Sequence, residues 1–400
     1  MAPIGIGIIG LSAAGGSWGA SAHLPYLKDS AKYKITGVCN SSTESSQKAI
    51  DTYGFSADAK AYGSVAEMAA SSDVDLVVCA VRVDRHYEAM KPALEAGKDC
   101  FVEWPLASNV EQATELLQIA ERKGVKTMIG LQGQMSPVIS RIKDIIEKDK
   151  AIGRITGSHV SLAGMLGGKE TIEPMEYLNY AETGGNMLVI PFGHLYDSIS
   201  YTLGELQEVS STLSIQHPEV VVKSADGSKV VKTIRRTAAD HIAMSGLLSS
   251  GAQSSAVVHG GQAFPGEPSF LWRIEGEQGV IQMQLLETGD VKDIEFTEDK
   301  PGPPGNVGRL YEAFADGQYY PDWKWAVKRH AWVDALYKSN ETGKHAMVST
   351  NWKKALSRVS MMGQQTYSQI YDRRSRAPNG GVRLVRCLDG NLLAKVEYKD

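Results

Sequence analysis

The residues of this chain that could do chemistry fall in three short stretches and a few single positions. The first stretch, Gly10-Leu11-Ser12-Ala13-Ala14-Gly15-Gly16, follows the apolar run Ile4–Ile9. Small residues there allow a tight turn and let backbone N–H groups approach a pyrophosphate at the start of the next helix. The pattern departs from G-x-G-x-x-G because Ser12 stands at the middle glycine. The second stretch, Glu103-Trp104-Pro105, follows a short apolar run ending at Val102. A carboxylate at the carboxyl edge of a parallel sheet stands where ligands bind in open α/β folds. Trp104 has no titrating proton and offers packing area and one N–H donor. The third stretch holds His194, with Asp197 three residues later, a helical spacing that lets the acid orient the imidazole. Tyr177 and Tyr180 are further candidates for proton donation, and His86 opens a predicted helix.

The first third of the chain supplies a frame by alternation. Strands are predicted at Ile4–Ile9, Tyr33–Cys39, 75–81, 99–102 and 126–131, with helices at 17–29, 43–53, 66–71, 86–97 and 109–123. Such alternation predicts a parallel, doubly wound sheet with right-handed crossovers, a Rossmann-type domain over residues 1–133. At the end of its second strand, where NAD-preferring sites usually carry an acid, stand Asn40, Ser41 and Ser42. No carboxylate there repels a 2′-phosphate, so NADP(H) is favoured, with NAD(H) as the alternative.

From residue 134 onward the grammar changes. A helix at 136–148 precedes a strand at 154–163, an irregular stretch at 164–183 and a helix at 184–204. Alternating segments between 207 and 298 predict an antiparallel sheet with one covered face. The Pro/Gly-rich 300–308 reads as a loop, helices return at 321–341 and 350–371, and 382–398 reads as a hairpin about Asp389-Gly390. The fold class is therefore α/β, with a Rossmann domain followed by an α+β domain over 134–400 on a large, mostly antiparallel open sheet.

Composition narrows the partners. A net charge of -4 gives no electrostatic reason to expect nucleic acid or an anionic membrane. No apolar run approaches the roughly 18 residues that span a bilayer, and no charged n-region precedes the first strand. Cys39, Cys79, Cys100 and Cys387 lack metal spacing and read as free thiols in a reducing compartment, the cytoplasm or alternatively the nucleus. No group of His, Asp and Glu shows ligand spacing, so no metal is expected.

Residues 6–15 (IGIIGLSAAG), 73–86, 101–106 (FVEWPL) and 184–197 fall in the order and spacing of the Gfo/Idh/MocA oxidoreductases. The chain resembles that family over most of its length. Within it, the stretches Gly10-Leu11-x-Ala13-Ala14, His23-x-Pro25, Phe101-Val102-Glu103-Trp104 and Leu131-Gln132-Gly133 look most like the fungal galactose-regulon repressor branch. The resemblance implies a nicotinamide ring between the two domains. It places cofactor contacts on the loop Gly10, Ser12, Ala13, Ala14 and Gly15, on Val81, Arg82 and His86, and on Glu103, Trp104 and Gln132. It also implies a homo-oligomer, dimer or tetramer, joined through the open sheet. Two departures stand out: the lysine of the family's Glu-Lys-Pro is Trp104, and the acid four residues before His194 is Ile190.

Two functions stay open. One is an NAD(P)-dependent oxidoreductase that moves a hydride to or from a C=O, C=N or activated C=C bond of a small organic substrate. His194 or a tyrosine then supplies the proton, and Trp104 widens an apolar pocket. The other is a non-catalytic, nucleotide-binding regulator that acts through protein partners and touches no nucleic acid directly.

Overall fold

The computed structural model describes residues 2–14, 16–164, 166–263, 265–285, 295–296, 302–348, 382–387 and 392–398. Its N-terminal sheet contains β1 (Ile4–Ile9), β2 (Tyr33–Cys39), β3 (Lys60–Tyr62), β4 (Leu76–Cys79), β5 (Asp99–Val102) and β6 (Thr127–Ile129). All six run parallel in the order β3-β2-β1-β4-β5-β6. The winding reverses beside β1, which puts a crevice at the carboxyl ends of β1 and β4. Ile6, Ile8, Val77 and Val78 are fully buried because helices cover both faces.

The crossovers are α1 (Leu24–Leu27), α2 (Thr43–Tyr53), α3 (Val65–Ala70), α4 (His86–Glu95) and α5 (Val110–Lys123). α5 shows how locally these ends are encoded. The Asn109 side chain accepts from the Gln112 N–H at its start, and Gly124 takes the left-handed conformation at its end. The helix expected over 17–29 opens instead as a π-helical turn over Gly19–His23 before α1.

The second half opens with α6 (Pro137–Glu147), β7 (Ile155–Ala163), β8 (Glu170–Ile172) and α7 (Pro191–Leu203). It continues with β9 (Leu206–Ser214), β10 (Glu219–Lys223), β11 (Val230–Arg235), β12 (His241–Leu248) and β13 (Gln253–His259). β14 (Phe270–Gly276), β15 (Gly279–Leu285), β16 (Glu295–Phe296), α8 (Gly302–Ala315) and α9 (Trp323–Thr342) follow. β17 (Ala346–Met347), β18 (Val382–Cys387) and β19 (Leu392–Tyr398) complete the series. A ten-stranded sheet runs β16-β18-β19-β15-β14-β7-β13-β12-β9-β17, mostly antiparallel, and β11-β10-β8 form a smaller sheet. Alternation along β12 buries Ile242 and Met244 and exposes Ala243 and Ser245, so one face of the large sheet is covered.

Two expectations are corrected. The 300–308 stretch is not all loop, because α8 begins at Gly302, with Pro303 and Pro304 in its first turn, where a missing N–H costs nothing. The helix expected from 184 begins only at Pro191; before it, the Asn186 side chain takes the N–H groups of Leu188 and Val189. The helix expected at 350–371 lies outside the described residues. β18 and β19 pair as the expected hairpin, and its Asp389-Gly390 turn is also outside them.

α8 packs on the N-terminal sheet rather than on the large one. Its Val307, Leu310, Tyr311 and Phe314 share a cluster with Ile6, Ile8, Leu24, Tyr33 and Phe101. Among the described residues no helix is long and apolar enough to cross a membrane.

Candidate functional site

At the end of β1, Gly10 has φ of +92°, a conformation that disfavours any side chain. A Cβ there would stand 2.6 Å from Val81 Cγ1 and 2.9 Å from the Ala80 carbonyl oxygen. The turn that follows is braced by its neighbours. The Tyr53 hydroxyl donates to the Ser12 carbonyl, and Ser12 Oγ accepts from the Ala14 N–H at 3.2 Å. Asn40 Nδ2 donates to the Leu11 carbonyl at 2.9 Å and to that of Ser45 at 3.2 Å. Gly15 lies outside the described residues.

Of the residues expected at the ribose, Ser42 is already committed. Its hydroxyl caps α2 by accepting the Ser45 N–H at 3.2 Å. Ser41 is exposed at the lip of the crevice.

The other end of the crevice is built around Glu103, buried at the carboxyl edge of β5. Its Oε1 lies 2.9 Å from His23 Nε2, and His23 Nδ1 lies 2.8 Å from the Tyr311 hydroxyl. A carboxylate only accepts, so in the neutral ring Nε2 carries the proton and Nδ1 accepts from Tyr311. Gly130 faces the Glu103 carboxylate so closely that a Cβ could not be added. Beyond it Gln132 is buried, and its Oε1 has no hydrogen-bond partner among the described residues. A buried orphan acceptor costs about 1–3 kcal/mol, and a carboxamide N–H of a bound ligand would satisfy it. The side-chain-free turn at Gly10 and this orphan at Gln132 both fit a nicotinamide dinucleotide.

His194, near the start of α7, has no hydrogen bond to its ring among the described residues. Enclosure by protein lowers its pKa to about 4, partly offset by the nearby Glu103 charge. It is thus a neutral imidazole within the electrostatic reach of the Glu103 carboxylate. Tyr177 reaches the same cleft: the Arg82 guanidinium lies 4.6 Å over its ring, and Gly185 abuts both Tyr177 and Val83. Tyr180 does not, since its hydroxyl donates to Glu176. His86 is buried with its ring nitrogens 2.8 Å from the Pro105 carbonyl and 2.9 Å from that of Val81, a brace between two loops.

Two expected catalytic residues are placed otherwise. Trp104 is only 4% exposed, and its Nε1 donates to the Val189 carbonyl at 2.7 Å. It wedges against Gly193, whose missing Cβ would be 2.8 Å from that nitrogen, and its ring stands 4.8 Å from that of His330. Trp104 therefore fills the space between the domains and offers no wall to a substrate. Asp197 turns away from His194, accepting from Gln134 Nε2 and Trp325 Nε1 in full burial. Burial pushes its pKa up to about 6.

Asp197 and His330, both buried, and the half-buried His194 make stability depend on pH. His194 at about 4 and His330 at about 3 both titrate below the ordinary histidine value near 6.5. Between about pH 6.5 and 4 the unfolded chain therefore binds these two protons and the folded chain does not. Stability falls as pH drops through that window, by about 1.4 kcal/mol per pH unit for each histidine. Asp197 opposes one of them, because from about pH 6 downward it takes up its proton in the folded state first. The expected net slope is at least one proton, measured as denaturation midpoint against pH. His330→Phe should flatten it, and an unchanged slope would show that His330 is not held neutral.

Sequence reasoning missed Tyr311 and His330, which come from helices remote in sequence. It also missed a convergence of His217, Asp240 and His241, whose potential ligand atoms lie within 4.8 Å of one another. The Asp240 oxygens there accept from the Gln216 and His217 N–H groups, from His241 Nδ1 and from the Arg236 guanidinium at 2.8 Å. A carboxylate so occupied, beside a fixed cation, is a hydrogen-bond hub and a poor cation ligand. Two cavities stand out. One of about 450 Å³ lies behind the turn of residues 173–179 and includes no residue of the dinucleotide crevice. The other, of about 310 Å³, opens at Gly133 beside α7.

Residues 4–131 match the family described as oxidoreductase family, NAD-binding Rossmann fold, and residues 137–285 match the Gal80p C-terminal domain. Dehydrogenase aclE of Aspergillus oryzae is 32% identical over 329 residues, 78% of this chain and 88% of the relative. The galactose/lactose metabolism regulatory protein GAL80 of Kluyveromyces lactis is 32% identical over 259 residues, 62% of this chain. That match spans just over half of the regulator, 56% of its length. The crystal structure of a super-repressor mutant of Gal80p from Saccharomyces cerevisiae aligns with a TM-score of 0.78 at 26% identity, covering 88% of this chain and 99% of that one. The chain belongs to the Gfo/Idh/MocA family of oxidoreductases with an NAD-binding Rossmann fold, and its residues 137–285 are of the Gal80p C-terminal type.

Proposed function

We propose that the protein is a nicotinamide-dependent oxidoreductase acting on a small organic molecule, with His194 as its proton-handling group. The observation that carries this reading is the His194 ring itself, neutral and without a hydrogen bond among the described residues, within the electrostatic reach of Glu103; Gly133, next to the orphaned Gln132, lies against the same turn of α7. A bound nicotinamide supplies hydride transfer; the protein's own groups do the rest. Glu103, fixed by His23 and Tyr311, and Gln132 orient the ring of the cofactor. His194 takes the proton from a substrate hydroxyl or amine in the oxidative direction; its lowered pKa keeps the imidazole unprotonated and available at neutral pH. In the reductive direction His194 is mostly unprotonated at neutral pH, so it relays a proton from water rather than storing one. Purified protein should oxidise NADPH or reduce NADP with some member of a panel of carbonyl, imine and enone compounds and their reduced forms; no turnover with any of them would sink the reading.

Two observations favour a second reading, a nucleotide-binding regulator. The position of the family's lysine is sealed by Trp104, and Asp197 is withdrawn into the core. A regulator would retain nucleotide, turn over nothing and recover a protein partner. In either case the uncovered face of the ten-stranded sheet, with Val257 at 55% and Leu247 at 37% exposure, supports pairing of two copies.

The cofactor is proposed to be NADP(H). Asp at position 40 would be a poor test, since it would face the Leu11 and Ser45 carbonyls that now accept from Asn40. Ser41→Asp places the charge at the exposed lip instead. Wild type should bind NADPH at least about tenfold more tightly than NADH, 1.4 kcal/mol, and Ser41→Asp should reverse the order in a fluorescence titration. A wild type that prefers NADH would refute the assignment.

A further inference from the structure

We infer that the substrate is a compact, uncharged, mostly apolar molecule with a single carbonyl or hydroxyl group, held between α7 and the covered face of the ten-stranded sheet. This deepens the oxidoreductase reading and rests on it. The cavity there measures about 310 Å³, at the small end of ligand sites, which run roughly 300–1,000 Å³. Its walls are carbon: Ile139 from α6, Leu162 from β7, Leu195 from α7, Phe270 and Trp272 from β14, and Met283 from β15.

Among the described residues no charged side chain lines it. Its polar side chains are three serines, and that of Ser198 is partly engaged with the His194 carbonyl. The Trp272 indole N–H is likewise taken, by Ser158 Oγ at 3.0 Å. A polyol placed here would lose its hydrogen bonds to water and find few in return. An anion would find no cation among the described lining residues.

The cavity also lies where the chemistry needs it. It begins at Gly133, next in sequence to the orphaned Gln132, and Pro191, Leu195 and Ser198 bring it within one turn of His194 along α7. A ketone bound with its ring in the cavity would present its carbonyl toward that end. In reduction the carbonyl carbon receives the hydride, and its oxygen receives a proton from water through His194. Reduced cofactor, ketone and one proton thus give alcohol and oxidised cofactor.

The test uses the full-length, nucleotide-loaded protein with acetophenone and cyclohexanone as probes and D-glucose and myo-inositol as polar controls. Binding is read by saturation-transfer NMR and reaction by cofactor absorbance. Ser269→Phe puts a ring into the cavity, and Ala163→Leu fills it from β7 should the first variant fold poorly. The expected result is that a ketone binds, that each folded variant weakens it at least about tenfold, that nucleotide affinity is unchanged, and that neither control reacts. Binding that the variants abolish, together with no turnover across the carbonyl, imine and enone panel, would uphold the ligand class of the cavity and remove the oxidoreductase reading. Turnover of a polyol without ketone binding would overturn the inference and leave that reading intact. Failure of both ketones to bind, or binding insensitive to both variants, would also overturn it.

Discussion

His194→Ala is expected to lower turnover by about 10²–10⁴-fold, the usual share of general acid–base catalysis, with nucleotide affinity unchanged. The imidazole has no hydrogen bond to another side chain among the described residues, so its removal strands no buried partner and should not unfold the protein. The same substitution removes a group that resists protonation in the folded state, so the variant should hold its stability better than wild type as pH falls from 6.5 toward 4. Loss of rate together with that gain would separate a chemical role from a structural one. Turnover that survives would transfer the role to Tyr177, the tyrosine that the Arg82 stack holds at the cleft. The measurement is steady-state kinetics beside denaturation at several pH values.

Gly10→Val should abolish detectable nucleotide binding. The residue needs φ of +92°, and its first side-chain atom would meet Val81 and the Ala80 carbonyl inside 3 Å. A branched side chain must push β1 and β4 apart at the point where the pyrophosphate has to approach the backbone. Ala13→Val, on the same turn, serves as the milder control. Calorimetry that found wild-type affinity in a folded Gly10→Val protein would remove the dinucleotide site from this turn.

What the sequence made legible was the part written in local rules. The β1 run of isoleucines and glycines, the Asn109 and Gly124 caps of α5 and the alternation along β12 each encode their element within a few residues. The glycine turn was legible for the same reason. α8 was not, because its Gly/Pro-rich start imitates a loop and only burial of Leu310 and Phe314 against a distant sheet makes it a helix. Side-chain direction was the other hidden quantity. Spacing put Asp197 on the helix that carries His194 but said nothing of Gln134 and Trp325, which claim its carboxylate. Residue type gave Trp104 its area, and Gly193, far along the chain, decides that the area faces inward.

The docking of α8 sets an order on the making of the protein. Residues 307–314 complete the cover that Leu24, Leu27 and Ile50 begin over the sheet face carrying Ile6, Ile8 and Phe101, so part of that face stays open while the intervening chain is synthesised. At about 5–20 residues per second, that interval lasts roughly ten to forty seconds. During it the nascent chain exposes a greasy surface that chaperones can grip, and a ribosome stalled before codon 302 would release a fragment that cannot shut its own nucleotide fold.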